Sequence, residues 1–232
     1  MLTDPRSIAF VVDAIHPQIQ HSPQALQSFF GRQAEIPEMG YLNFNTNAFG
    51  AQLTTVYGPA SLPGSTAHSA LSFGADRFQI KEEWPRIGLD DFVGRAMKST
   101  ELAFDCLAIP QLVAVQCTIR SLVNLATQED CRTFLDGEFF RIDDEDRGLL
   151  GRQPGLFGLR MAFPATEDDK GVHNVRIESF NGDPRSLFLE ETGVWTGVIQ
   201  KSDLRPVEAA IREAYGFLTG GVTDWIAERL SD

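Results

Sequence analysis

The feature that most constrains this chain is that one order of elements is written twice along it. Ser22 precedes Phe29-Phe30-Gly31, and Thr127 precedes Phe134-Leu135-Asp136-Gly137 with the same spacing from cap to aromatic residue. Further on, Ser72-Phe73-Gly74-Ala75-Asp76-Arg77 is matched by Ser179-Phe180-Asn181-Gly182-Asp183-Pro184-Arg185. Glu82-Glu83 follows the first and Glu190-Glu191 the second, with one residue inserted. Phe29 and Phe134 stand 105 positions apart, and Gly50 and Gly158 stand 108 apart. Several matches in one order at a nearly constant offset are the signature of an internal repeat. The alternative is two unrelated halves that share an element order.

Each half reads β-α-β-β-β-β-α. Residues Ile8 to Ile15 are apolar on both alternating faces except at Asp13, as a doubly covered central strand requires. Ser22-Pro23 supplies a cap and a proline for a helix that Gly31 is expected to stop. Strands are expected over Tyr41 to Asn45, Gln52 to Tyr57, Ala70 to Phe73 and Arg77 to Glu82, the first two joined by a hairpin at Asn47-Ala48-Phe49-Gly50. A long amphipathic helix runs from Leu89 to Leu107.

After Pro110 the pattern restarts with a strand from Val113 to Ile119 and a short helix capped by Thr127 and ended by Gly137. Residues Glu138 to Ile142 fit either strand or helix. Strands then follow at Leu156 to Phe163, Val172 to Phe180, Arg185 to Glu190 and Val194 to Ile199. A closing helix from Asp203 to Leu230 carries Pro206 in its first turn, and Gly220-Gly221 is expected to bend or break it.

This order resembles the TATA-binding-protein-like fold, two tandem β-α-β(4)-α units. The resemblance covers the whole chain as topology and none of that family's sequence motifs are present. It implies an α+β protein with units over 1–109 and 110–232. Their curved antiparallel sheet would be continuous and covered by helices on one face. A second, fainter resemblance to an uncharacterised prokaryotic family rests on Ile119 to Asn124 and on Ile177 to Trp195.

Charge narrows the partners. The formal net charge is -12, and phosphate binding is driven by Lys and Arg that displace counterions. Nucleic acid is therefore disfavoured, and a protein partner is the expected one. Cys106, Cys117 and Cys131 include no CxxC pair and are expected as reduced thiols, which points to the cytoplasm. The N-terminal stretch is neither a signal peptide nor a membrane span, and no other stretch is apolar enough to cross a bilayer.

No nucleophile elbow, phosphate loop or dinucleotide motif is present, so no catalytic residue, cofactor or metal is assigned. His16, His21, His68 and His173 stand in no ligand spacing. Asp13 and His16, three apart on a strand, are expected on opposite faces. The acidic runs Asp143 to Asp146 and Glu167 to Asp169 are expected as solvated loops. Glu82-Glu83 and Glu190-Glu191 are expected at solvent-facing strand ends; the alternative is a symmetric pair of carboxylates working on a proton or a metal. The binding candidates are Arg120, Arg160 and Arg176, which a sheet face would gather from different strands into a site for phosphate or carboxylate. The expected function is a non-enzymatic binding protein, a subunit or adaptor of a larger complex. The alternatives are nucleic-acid or nucleotide recognition through the concave face and a small carboxylate enzyme.

Overall fold

A computed structural model describes residues 2, 5–47, 50–62, 64–125 and 130–230, leaving aside the side chain of Asn47. Among these the chain is α+β with one nine-stranded antiparallel sheet. The first half contributes β1 (Arg6–Ile15), α1 (Pro23–Gln33), β2 (Asn43–Asn47), β3 (Gly50–Pro59), β4 (Thr66–Phe73), β5 (Arg77–Glu83) and α2 (Leu89–Cys106). The second contributes β6 (Leu112–Asn124), α3 (Cys131–Leu135), α4 (Asp144–Leu150), β7 (Gly158–Phe163), β8 (Val172–Ser179), β9 (Ser186–Ile199), α5 (Arg205–Gly216) and α6 (Thr223–Arg229). The sheet order is β2-β3-β4-β5-β1-β6-β9-β8-β7, so β1 and β6 meet at its centre.

The apolar run of β1 explains that position. Seven successive residues, Ile8 to Ala14, are buried, in keeping with a strand paired along both edges. Phe10, Val12 and Ala14 share one face with Ile119, Cys117 and Val115 of β6. On that face Phe10 meets two helices: its ring stacks on Phe92 of α2 at 5.1 Å and lies 6.3 Å from Tyr215 of α5. Phe29 of α1 packs edge-on against Phe73 of β4 at 4.9 Å. Each such fully buried side chain contributes roughly 1.5–3 kcal/mol. Ser22 caps α1 through a 3.1 Å bond from the Ala25 amide, but the helix runs past Gly31 to Gln33, because nothing there requires a left-handed backbone.

The second half departs from the expected pattern in three places. Thr127 lies outside the described residues, and α3 is capped instead by Asp130. Gly137 does not end that helix: the chain widens into a π turn, Asp136–Phe140, which stops at Arg141 with φ 54. The two strands expected between Arg185 and Ile199 are one, β9. Three strands rather than four therefore follow α3. Gly193 allows β9 to run on: a Cβ there would lie 2.3 Å from Cη2 of the Trp195 ring, so glycine makes room for the indole instead of making a turn.

The run Asp143 to Asp146 is the start of α4 rather than a loop. Asp143 and Asp146 form a reciprocal capping box, and acids suit the positive end of a helix. Gly220-Gly221 does not break the closing helix, because a second π turn, Phe217–Val222, carries it from α5 into α6. No described helix is long and apolar enough to cross a membrane.

Candidate functional site: the polar face of the sheet

Strand alternation puts the other half of the sheet residues on a second face, and antiparallel register aligns them in rows. One row runs Val56, His68, Glu83, Ala9, Arg120, Glu190, Arg176, Arg160 across eight strands. The three arginines singled out from sequence thus fall on one face and in one line. Glu190 joins two of them: Arg120 Nε donates to its Oε2 at 2.6 Å, and Arg176 Nη1 lies 3.6 Å from its Oε1. Arg176 also donates to Glu178 at 2.6 Å and lies over the Phe188 ring, 5.1 Å from its centroid. Arg160 pairs across to Arg176 at the rim and is exposed.

A hollow of about 290 Å³ opens beside this row. Ala9 gives it a small floor, Arg120 and Glu190 line it, and Trp84 and Phe188 stand as its aromatic walls. Trp84 has φ 48, a left-handed conformation that a bulky residue adopts only under constraint. Its amide donates to the Ile8 carbonyl at 2.8 Å, which fastens the strained residue to β1, and Arg6 stacks over its ring at 5.9 Å. Lys81 and His68 both reach Glu83 next to it.

The neighbouring rows are mostly amides and hydroxyls, with Lys81 and Asp13 as their charged members. One carries Asn43, Thr54, Ala70, Lys81, Val11, Thr118, Thr192 and Asn174; the next carries Asn45, Gln52, Ser72, Gln79, Asp13 and Gln116. Asp13 is 5% exposed and accepts from Gln79 at 3.0 Å; burial pushes its carboxyl up, and the Gln79 bond offsets part of that. His16 packs instead on Phe78 of the helix-facing side, so Asp13 and His16 stand apart.

Glu82 and Glu191 do not face solvent at all. Both are fully buried on the helix-facing side, in the row Ser69, Glu82, Phe10, Ile119, Glu191, Val175. Two strands separate them, about 14 Å at the usual spacing, so they cannot share a proton or an ion. Glu82 is ion-paired with Arg95 of α2, which also bonds Ser69, Tyr57 and the Glu38 carbonyl. Glu191 meets His173 instead: Nδ1 lies 2.9 Å from its Oε1, and Nε2 lies 2.9 Å from Asp169 Oδ2. Burial above all, with the Asp169 charge adding to it, pushes Glu191 up to about 9.

His173 stacks on Phe217 at 4.3 Å, held there by the second π turn. This Asp169-His173-Glu191 chain was missed in the sequence because its members come from a loop and two strands. The only local signal was His173 in an apolar alternation four residues after Asp169. No protein-family model matches the chain, and no curated protein matches it either.

Proposed function

We propose that this chain is a non-enzymatic binding protein of the cytoplasm that presents the polar face of its sheet to a protein partner. The observation that carries this is Trp84, a bulky aromatic held at φ 48 on the rim of a hollow beside the Arg120-Glu190-Arg176 row. Backbone strain is concentrated where a surface is shaped for binding. Cations and carboxylates alternate along the middle of that row, and rows made mostly of amides and hydroxyls flank it. Such a surface matches the mixed polar rim and aromatic anchors of a protein interface.

Nucleic acid fits the same surface less well. Arg120, Arg176 and Lys81 are each paired with a carboxylate, so a phosphate would have to displace Glu190, Glu178 or Glu83. The fold reading that accompanies this is of two tandem copies of one unit, similar to the TATA-binding-protein-like arrangement, with the helices on the face opposite the partner. In its support, the strands run outward from the β1–β6 pair as β5-β4-β3-β2 on one side and β9-β8-β7 on the other. The long helices α2 and α5 touch across the middle.

The test is recovery of the tagged protein from its host after nuclease treatment, alongside Trp84→Gly and Arg160→Glu variants. A stoichiometric protein retained by the parent and lost by both variants is the expected result. A partner that disappears with nuclease treatment transfers the site to nucleic acid, and recovery of a free monomer alone overturns the reading.

A further inference from the structure

The sheet ends differently on its two sides. Beyond the central β1–β6 pair lie four strands, β5-β4-β3-β2, on one side and three, β9-β8-β7, on the other. The strand at the shorter margin, β7, reads Gly-Leu-Arg-Met-Ala-Phe and pairs with β8 alone among the described residues. Its register with β8 runs without a bulge. Just before the strand, the Ser179 amide donates to the Phe157 carbonyl at 2.8 Å, which makes that a hydrogen-bonded position. Such positions alternate along an antiparallel pair, so Leu159, Met161 and Phe163 bond into β8. Gly158, Arg160 and Ala162 turn their amides and carbonyls to the outer side, where no described residue bonds them.

Sheet margins are blunted by brevity, charge, proline or a bulge. The opposite margin, β2, is short and reads Asn-Phe-Asn-Thr-Asn, rich in a residue that strands disfavour. β7 carries one charge, Arg160, and its proline, Pro164, comes only after its end. Apolar side chains stand along it. Leu159 and Met161 are half-buried against the core, and Phe163 is exposed where it packs edge-on against Phe217 at 5.2 Å. Leu156 is exposed just ahead of the strand. The flanks of β7 differ in charge, with Arg152 before it and Glu167 and Asp168 after it. All three are exposed, and none has an ion pair among the described residues.

We propose that a second copy of this chain covers that edge, β7 on β7, antiparallel about a two-fold axis at Met161. A two-fold brings the basic flank of each copy to the acidic flank of the other, and this complementarity is what singles out a second copy. The contact closes at two chains. Its register follows from the side chains. An axis at Arg160 would set two guanidiniums face to face, which is unfavourable in a cross-strand pair. An axis at Met161 sets Arg160 opposite Ala162, whose outward amides and carbonyls then exchange bonds with it. The same axis sets Leu159 opposite Phe163, and Met161 opposite its own copy, on the helix-facing side, and apolar cross-strand pairs stabilise a sheet. Pro164 ends the new ladder because it has no amide to give. The charge of -12 on each copy opposes approach chiefly at low ionic strength, since exposed charges more than about 8 Å apart are screened in physiological salt. The join leaves the polar face open and does not rest on what that face binds.

Sedimentation equilibrium of the purified full chain in physiological salt, over a range of concentrations, reads the association directly. The expected mass at high concentration is twice the 25.7 kDa of one chain. Ala162→Pro removes an amide that only the second copy uses, a change that edge strands tolerate, so this variant should stay a monomer with the parent's melting temperature. Ala162→Glu places a carboxylate opposite Arg160, and Ala162→Arg a second guanidinium, each twice by symmetry. The Kd of the dimer should fall for the first and rise for the second, by roughly 2- to 30-fold each. A parent that keeps the mass of one chain throughout overturns the proposal and leaves the edge to a strand from another protein. A dimer that survives Ala162→Pro, or equal Kd values for Ala162→Glu and Ala162→Arg, overturns it as well.

Discussion

Glu82 and Glu191 occupy the same row of the same face and are neutralised in different ways, one by a guanidinium and the other by keeping its proton. The consequences for stability differ accordingly. Glu191 in the unfolded chain ionises near its ordinary value, 4.5, whereas in the fold it holds its proton up to about 9. The native state therefore binds more protons between these values. The stability it contributes is complete below about pH 4.5 and is lost as pH rises towards 9. Glu191→Gln should flatten that part of the profile, so urea melts at pH 5 and pH 8 should show the variant gaining on the parent at the higher pH.

Arg95→Ala leaves Glu82 buried with no counter-charge and is expected to cost about 3–5 kcal/mol in the same melts. Replacing both residues by apolar ones of similar volume should recover much of that. Trp84 gives a third test at this scale. Trp84→Gly and Trp84→Ala remove the same ring, but only glycine is at ease at φ 48, so the glycine variant should be more stable than the alanine variant by about 1 kcal/mol.

Among the elements, α4 is a seven-residue helix with no buried residue, held by its capping box. Asp143→Ala should remove about 1 kcal/mol from that helix alone. Hydrogen exchange of amides 144–150 is expected to quicken while the melting temperature of the whole chain stays put. Elements that draw their identity from their own residues were legible in the sequence: β1, β5 and α2 were read nearly to their ends because period and burial agree in them. β9 reads in the sequence as two strands, Arg185 to Glu190 and Val194 to Ile199, because the role of Gly193, making room for the Trp195 ring, is visible only in the packing. The arginine row could be anticipated, since each residue falls on the outward parity of its strand. The links from Asp169 through His173 to Glu191 depend on cross-strand register, which is not written locally.

At the scale of the molecule the two halves share one sheet and one core. The β1–β6 ladder is continuous with the pairs on either side, and Arg212 of α5 reaches Asp90 of α2 at 2.8 Å above it. Calorimetry should therefore record a single transition with equal calorimetric and van't Hoff enthalpies, not one for each half. Two separate peaks would mean that the seam is weaker than its burial implies.

The central place of β1 also has a consequence for synthesis. A ribosome finishes β1 first, yet the strand that covers its second edge, β6, is made only after the rest of the first half. During that interval an emerging five-stranded sheet would carry at its margin the most apolar strand of the protein, with its amides and carbonyls unpaired. Such an edge can recruit a neighbouring nascent chain as readily as its own later segment. Asp13, the one acidic residue of that strand, sets a charge within its apolar run, and a charge in such a run opposes non-native strand pairing.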